Sequence, residues 1–148
     1  MKIKNDKSTI FLTKDKELNN CPILFIHGFT GSTKSWKETR LGIDYPSIAI
    51  DVPGHGKSIF NNLDKNYDYK DFRSELYLCL KELNINKIHL CGYSMGGRLA
   101  ISFAQKYPNL VKTLILESSS LGISNAEEKN KRFDEDNELS NSINKSLN

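Results

Sequence analysis

The sequence predicts an α/β fold with a mainly parallel sheet. Three observations carry that expectation. Short runs apolar on both sides, at 22–26, 47–52, 87–91 and 112–117, have the pattern of strands buried on both faces. Stretches of helical period lie between them, and that alternation favours parallel pairing through crossover helices. The glycine-rich segments 27–32, 53–58 and 92–97 each follow one of these runs. In such sheets ligands gather at the carboxyl ends of the strands.

Taken in order, residues 2–4 and 9–13 read as two short strands joined at Asn5-Asp6. The apolar run 22–26 leads into His27-Gly28-Phe29-Thr30-Gly31-Ser32, where Ser32 or Thr33 can cap a helix containing Trp36. The run 47–52 leads into Pro53-Gly54-His55-Gly56-Lys57-Ser58, a turn-rich loop, and 61–67 is polar loop. From 69 to 83, Phe72, Leu76, Leu80 and Leu83 recur at helical spacing, with Leu78 and Cys79 widening the face. Asn84-Ile85-Asn86 stops that helix. A strand at 87–91 enters a sharp turn, a helix spans 96–106, and Pro108 closes it. The run 112–117 is one more buried strand. Residues 127–139 are charged and have helical character. Residues 1–137 form one portion of a domain, and 138–148 is a polar tail expected to lack order.

The 148 residues suffice for one domain with a real core. A net charge of +3 without a concentrated Lys/Arg block gives no reason to expect nucleic acid. No apolar run reaches the length of a membrane span. The charged start, Met1-Lys2-Ile3-Lys4, is not followed by the apolar stretch of a secretory signal. Cys21, Cys79 and Cys91 are odd in number and scattered, as expected of reduced thiols in the cytoplasm. The pattern calls for no cofactor and no metal, and it leaves the oligomeric state open.

The chemistry centres on Gly92-Tyr93-Ser94-Met95-Gly96-Gly97. Gly-x-Ser-x-Gly between a strand and a helix is the nucleophile-elbow pattern. A serine on so tight a turn needs small neighbours, because the backbone passes close by. The turn lifts the hydroxyl above the sheet, and the helix aims its amide-rich N-terminus at the same place. The plain alternative is a glycine-rich turn with an idle serine. The flanking strand and helix argue against it.

His27-Gly28-Phe29, the segment 51–58 and the elbow together resemble the α/β-hydrolase superfamily. Within it, His27–Ser32 with Trp36, the elbow with Arg98, Leu116-Glu117-Ser118, and Glu127-Glu128 followed by Arg132 and Asp136 are similar to the 2-succinyl-6-hydroxy-2,4-cyclohexadiene-1-carboxylate synthases of menaquinone biosynthesis. The similarity runs from the N-terminus to about residue 137. It implies an α/β-hydrolase fold: a mostly parallel sheet with an N-terminal antiparallel hairpin. It also implies a lyase that eliminates pyruvate from a carboxylated cyclohexene. Ser94, activated by a histidine, would be the base. The backbone N–H groups of Phe29 and Met95 would form an oxyanion hole. Arg98 and Arg132 would hold carboxylates of a small anionic substrate. Tyr93 and Trp36 would line its pocket.

The chain also departs from that family. The triad order is serine, then Asp or Glu, then His, yet no histidine follows His89. Asp134 and Asp136 lie in the charged stretch rather than after a strand. His55 precedes the serine and reads as structural, His27 as a support for the oxyanion loop, and His89 as a strand residue. The resemblance therefore implies that the lid and C-terminal strands are missing from this chain. It would be a fragment, one half of a complemented pair, or a non-catalytic relative, in that order of preference. A serine esterase or C–C hydrolase is the alternative chemistry, because it uses the same elbow. The incomplete sheet is expected to leave an apolar edge and face open.

Overall fold

The computed structural model describes residues 1–18, 21–61, 66–120, 122 and 125–146. Most of the expected polar loop at 61–67, and the last two residues of the tail, lie outside them.

The chain opens with a hairpin of β1 (Lys2–Lys4) and β2 (Ser8–Lys14), paired antiparallel. β3 (Ile23–Ile26), β4 (Ser47–Ile50), β6 (Ile88–Tyr93) and β7 (Val111–Glu117) are the apolar runs of the sequence. They form a parallel set, with β3 between β4 and β6, and β7 beyond β6. The sheet order is β1-β2-β4-β3-β6-β7, and β5 (Ile59–Phe60) is a two-residue strand on β2. β2 joins the parallel set antiparallel to β4. Because the central strands run the same way, Ile26, Ile50, Tyr93 and Glu117 all end at one rim. The functional loops leave from that rim.

A strand turns alternate side chains to opposite faces. Leu24, Ile26, Ile48, Ile50 and Leu90 meet the helices α2 (Tyr69–Glu82) and α3 (Met95–Lys106). Phe72, Leu76 and Leu80 from α2, and Ala100 and Phe103 from α3, fill that side. Burying each large side chain contributes roughly 1.5–3 kcal/mol. Phe25, Ala49 and Cys91 point the other way, against Trp36. This second layer is thin. It consists of a 3-10 turn, Thr33–Trp36, capped by Ser32, followed by α1 (Lys37–Leu41), which buries no residue.

α2 begins with a capping box. Asp68 accepts from the N–H groups of Lys70 and Asp71, and Asp71 accepts from the N–H of Asp68. The buried Glu75 on α2 ties down the hairpin: its carboxylate accepts from the N–H groups of Lys7 and Ser8, from the Ser8 hydroxyl, and from the Tyr67 hydroxyl at 2.9 Å.

One expectation needs correction. β7 is apolar in sequence yet exposed from Lys112 to Glu117, because it is the outermost strand, paired only with β6. The strand pattern reports side-chain chemistry and not whether a neighbour is there to cover it. The last described element is α4 (Ala126–Ser146). That helix relies on local interactions: Asn125 accepts from the N–H of Glu127, and Arg132 pairs with Asp136 at 3.0 Å, one turn on. Its described side chains are all exposed. Among the described residues, no helix is long and apolar enough to cross a membrane.

Candidate active site

Ser94 sits between the end of β6 and the start of α3 with φ 51° and ψ −112°. A non-glycine residue there is strained, and such strain persists only where the surroundings enforce it. Here they do. The Ser94 N–H donates to the Glu117 carbonyl at 2.9 Å. The Ser94 carbonyl accepts from the N–H groups of Gly97 and Arg98, and from the Ser119 hydroxyl at 3.1 Å. Bare backbones on either side are essential. A Cβ on Gly92 would lie 2.5 Å from the Gly96 carbonyl oxygen. A Cβ on Gly96 would run into the Ile26 carbonyl oxygen and lie 2.5 Å from that of His27. The elbow is thus pressed against the end of β3, which brings the loop after β3 to the serine.

That loop is fixed from below by two buried groups. His27 donates from Nδ1 to the Gly28 carbonyl at 2.7 Å, and its Nε2 accepts from the Val52 N–H at 3.0 Å. Both nitrogens are engaged in the neutral form. Burial is the main cause that pushes its pKa below the ordinary histidine value, and neighbouring His55 adds to it. Asp51, also buried, spans two loops. Its carboxylate accepts from the Thr33 N–H at 2.5 Å and the Lys57 N–H at 2.7 Å. Its carbonyl accepts from the Ser58 hydroxyl at 2.7 Å. The two hydrogen bonds of His27 fit the support of the oxyanion loop expected of it. The His55 ring lies 5.2 Å from His27 and 5.9 Å from Phe29, centroid to centroid.

Beside the serine lies a cavity of about 560 Å³, walled by Phe29, Trp36, Tyr93 and Glu117 with the glycines of the β3 loop. Gly28 lets the loop approach closely: a Cβ there would stand 2.8 Å from the Tyr93 ring and 3.4 Å from the Ser94 Cβ. Residues 29 and 95, the two expected amide donors, flank this contact. Met95 is the first residue of α3, where an N–H has no acceptor within the helix. Phe29 is exposed and Tyr93 half-open, and the buried Trp36 ring packs against Phe25 with centroids 4.8 Å apart and planes tilted by 35°. The indole Nε1 of Trp36 is buried and has no hydrogen-bond partner among the described residues.

Two of the expected site residues lie elsewhere. Arg98 is exposed on the first turn of α3 and lines a different cavity, shared with Met95, Tyr69 and Arg73. Arg132 is exposed on α4, paired with Asp136. The structure adds Ser35, Thr39 and Glu117 to the cavity wall; of these the sequence singles out only Glu117, as part of the Leu116-Glu117-Ser118 resemblance and without a site role. Glu117 had a usable signal, because it ends a strand at the rim where every other loop residue of interest begins. Cys91, one strand position before the elbow, is an inert thiol: burial, aided by Glu117, pushes its pKa up to about 11. Among the described residues no cluster of His, Cys, Asp and Glu could hold a metal ion.

Comparison with known proteins agrees with this construction. A family model described as the alpha/beta hydrolase fold matches residues 22–137. A Bacillus subtilis (strain 168) protein, provisionally named a 2-succinyl-6-hydroxy-2,4-cyclohexadiene-1-carboxylate synthase, is 40% identical over 124 residues, covering 82% of this chain and 44% of that protein. The synthase of that name from Yersinia pestis (strain Pestoides F) is 36% identical over 117 residues, 77% of this chain and 42% of the relative. The chain therefore spans less than half the length of these curated relatives. Among solved structures, the thioesterase domain from the curacin biosynthetic pathway superposes with a TM-score of 0.76 at 25% identity, over 90% of this chain and 50% of that one. A bacterial membrane phospholipase A gives 0.73 at 26% identity, over 85% of this chain and 41% of that one. With its strained serine elbow, its rim of loops and a family match over most of its length, the chain belongs to the α/β-hydrolase fold family.

Proposed function

We propose that this chain carries the serine-bearing part of a lyase that eliminates pyruvate from a carboxylated cyclohexene, a 2-succinyl-6-hydroxy-2,4-cyclohexadiene-1-carboxylate synthase. The observation that supports it most is the agreement between the elbow geometry at Ser94 and the identity of 36–40% to proteins of that name. On this reading Ser94, relieved of its proton by an imidazole, removes a proton from the substrate. The amides of Phe29 and Met95 stabilise the enolate-like charge that develops, and pyruvate departs as the ring electrons shift. Phe29, Tyr93 and Trp36 hold the ring. Arg98 and Arg132 meet carboxylates.

The imidazole is not among residues 95–148, which contain no histidine. An unassisted serine hydroxyl is a weak base and a weak nucleophile. Activity on this reading requires an Asp and a His from outside these 148 residues, in the order the fold family uses.

One observation favours a second reading, a serine esterase. The cavity walled by Phe29, Trp36 and Tyr93 has no Arg or Lys in its lining, and its one charged wall residue is Glu117. Parallel assays on a polypeptide that joins residues 1–148 to the histidine-bearing part of the Bacillus subtilis relative separate the two. Release of pyruvate from the cyclohexene substrate, with weak turnover of p-nitrophenyl esters, is the lyase result. Strong ester turnover without pyruvate removes the lyase reading.

A further inference from the structure

The backbone of Ser94 is gripped on both sides by the turn that follows β7. Its N–H donates to the Glu117 carbonyl at 2.9 Å. Its carbonyl lies 3.1 Å from the Ser119 hydroxyl, and that hydroxyl lies 3.0 Å from the Glu117 carbonyl as well. A hydroxyl has one proton, so Ser119 shares it between the two carbonyls in a three-centre bond. Residues 94, 117 and 119 thus close a small ring of hydrogen bonds beside the elbow.

Two further features belong to this contact. Ser118, between the two gripping residues, has φ 48°, in the left-handed region that non-glycine residues seldom enter. The chain turns there at the end of β7, and the next residue reaches back to the elbow. Gly97 supplies the room. A Cβ on Gly97 would run into the Ser119 Oγ and lie 2.6 Å from the Ser119 Cβ. The elbow pattern asks for Gly92 and Gly96 only. The space left open at Gly97 is the space that Ser119 fills.

The Ser94 carbonyl and the Met95 N–H belong to one planar peptide unit and point opposite ways across it. Holding the carbonyl therefore sets the direction of the N–H. Donors on the carbonyl also polarise the amide and strengthen its N–H as a donor. The N–H groups of Gly97 and Arg98 reach that carbonyl at 3.1 and 3.3 Å, both from α3 itself. Ser119 adds a donor from the turn of another strand.

We infer that Ser119 is a positioning residue: its hydroxyl, seated in the space left by Gly97, clamps the Ser94–Met95 peptide so that the Met95 N–H faces the charge that develops on the substrate. The role of that N–H rests on the proposed function. The clamp itself rests on the hydrogen bonds and the absent Cβ. Ser119 does not wall the cavity beside Ser94, so it acts through the peptide and not on the substrate.

The test has two arms. In the 148-residue chain, NMR of S119A should show the Ser94 carbonyl carbon and the Met95 amide nitrogen moved upfield, the direction for a carbonyl that loses a donor. S120A, which removes the neighbouring exposed hydroxyl, should leave both signals in place. In the joined polypeptide, S119A should lower kcat about tenfold with KM unchanged, the mark of an interaction made in the transition state. S119T, which keeps the hydroxyl, should regain that loss. The elbow serves the lyase and the esterase alike, so the drop is read on whichever substrate is turned over. Unmoved Ser94 and Met95 signals, an unchanged kcat, a loss confined to KM, or no recovery in S119T would overturn the clamp. Ester turnover without pyruvate release would sink the lyase reading, with the kcat of S119A on the ester still deciding the clamp. A joined polypeptide that turns over neither substrate would sink the proposed function, and the two NMR signals would then decide the clamp.

Discussion

At the scale of single residues, the site depends on positions where nothing larger than hydrogen fits. Gly96 is the clearest. Its Cα faces the carbonyls of Ile26, the last residue of the central strand, and of His27 just after it, and these backbone groups cannot move aside as a flexible side chain could. Gly96→Ala is expected to cost about 1–3 kcal/mol in a urea melt, the range for forcing an extra carbon into packed structure. It should also displace the elbow from the β3 loop. His27 gives a prediction in pH. Its folded pKa lies below the ordinary 6.5, so the unfolded chain takes up a proton at that position first. Stability should therefore fall as pH drops below about 6.5 and level off once pH passes the folded pKa. Asp15, Asp44 and Asp71 have pKa values lowered from 3.8, so their contributions are lost only at lower pH. Urea melts at pH 7.5 and 5.5 should show this loss in the parent, and a smaller one in His27→Asn.

Elements and loops are held in place by buried carboxylates as much as by apolar packing. Asp51 links the turn that opens at Thr33 to the loop that ends at Ser58, using both of its oxygens. A Cβ on Gly56 would collide with that carboxylate, so the 53–58 loop needs its glycine there. Asp51→Asn leaves one of the two N–H donors facing an NH₂ group. A loss of about 1–3 kcal/mol is expected by denaturant melt, with faster amide exchange at Thr33 or Lys57. None of this linkage was legible in the sequence, where Asp51 reads as the last polar residue of a strand. What was legible was anything with a period or a fixed motif. The alternation of two-sided apolar runs with the 3.6 period of Phe72, Leu76 and Leu80 gave the parallel sheet and its helices, and Gly92-x-Ser94-x-Gly96 placed the elbow. β5 escaped because two residues carry no period. Spacing along α3 put Arg98 on a face of that helix but could not say what lies opposite it. The contact of Arg73 with Ser102 was not legible for the same reason: the two residues lie on different helices.

For the whole molecule, the decisive feature is the asymmetry of the sheet. One margin is finished by the hairpin, whereas β7 at the other leaves Leu114, Ile115 and Leu116 exposed, at 37%, 46% and 39%. An apolar outer strand with open backbone groups is prone to pair with other chains. The 148-residue chain alone should bind the dye ANS and self-associate in analytical ultracentrifugation. Ile115→Lys should reduce both without lowering the melting midpoint by more than a degree or two, since surface changes cost within about 0.5 kcal/mol. A monodisperse monomer that ignores ANS would contradict this view of β7.

The most direct trial of the central claim is a serine substitution in a polypeptide that can turn over. In the joined polypeptide described above, pyruvate release from the cyclohexene substrate should fall at least about a thousandfold in Ser94→Ala, the scale of loss when the reacting serine of a triad is removed. Pyruvate release that survives Ser94→Ala would mean that the chemistry is done elsewhere.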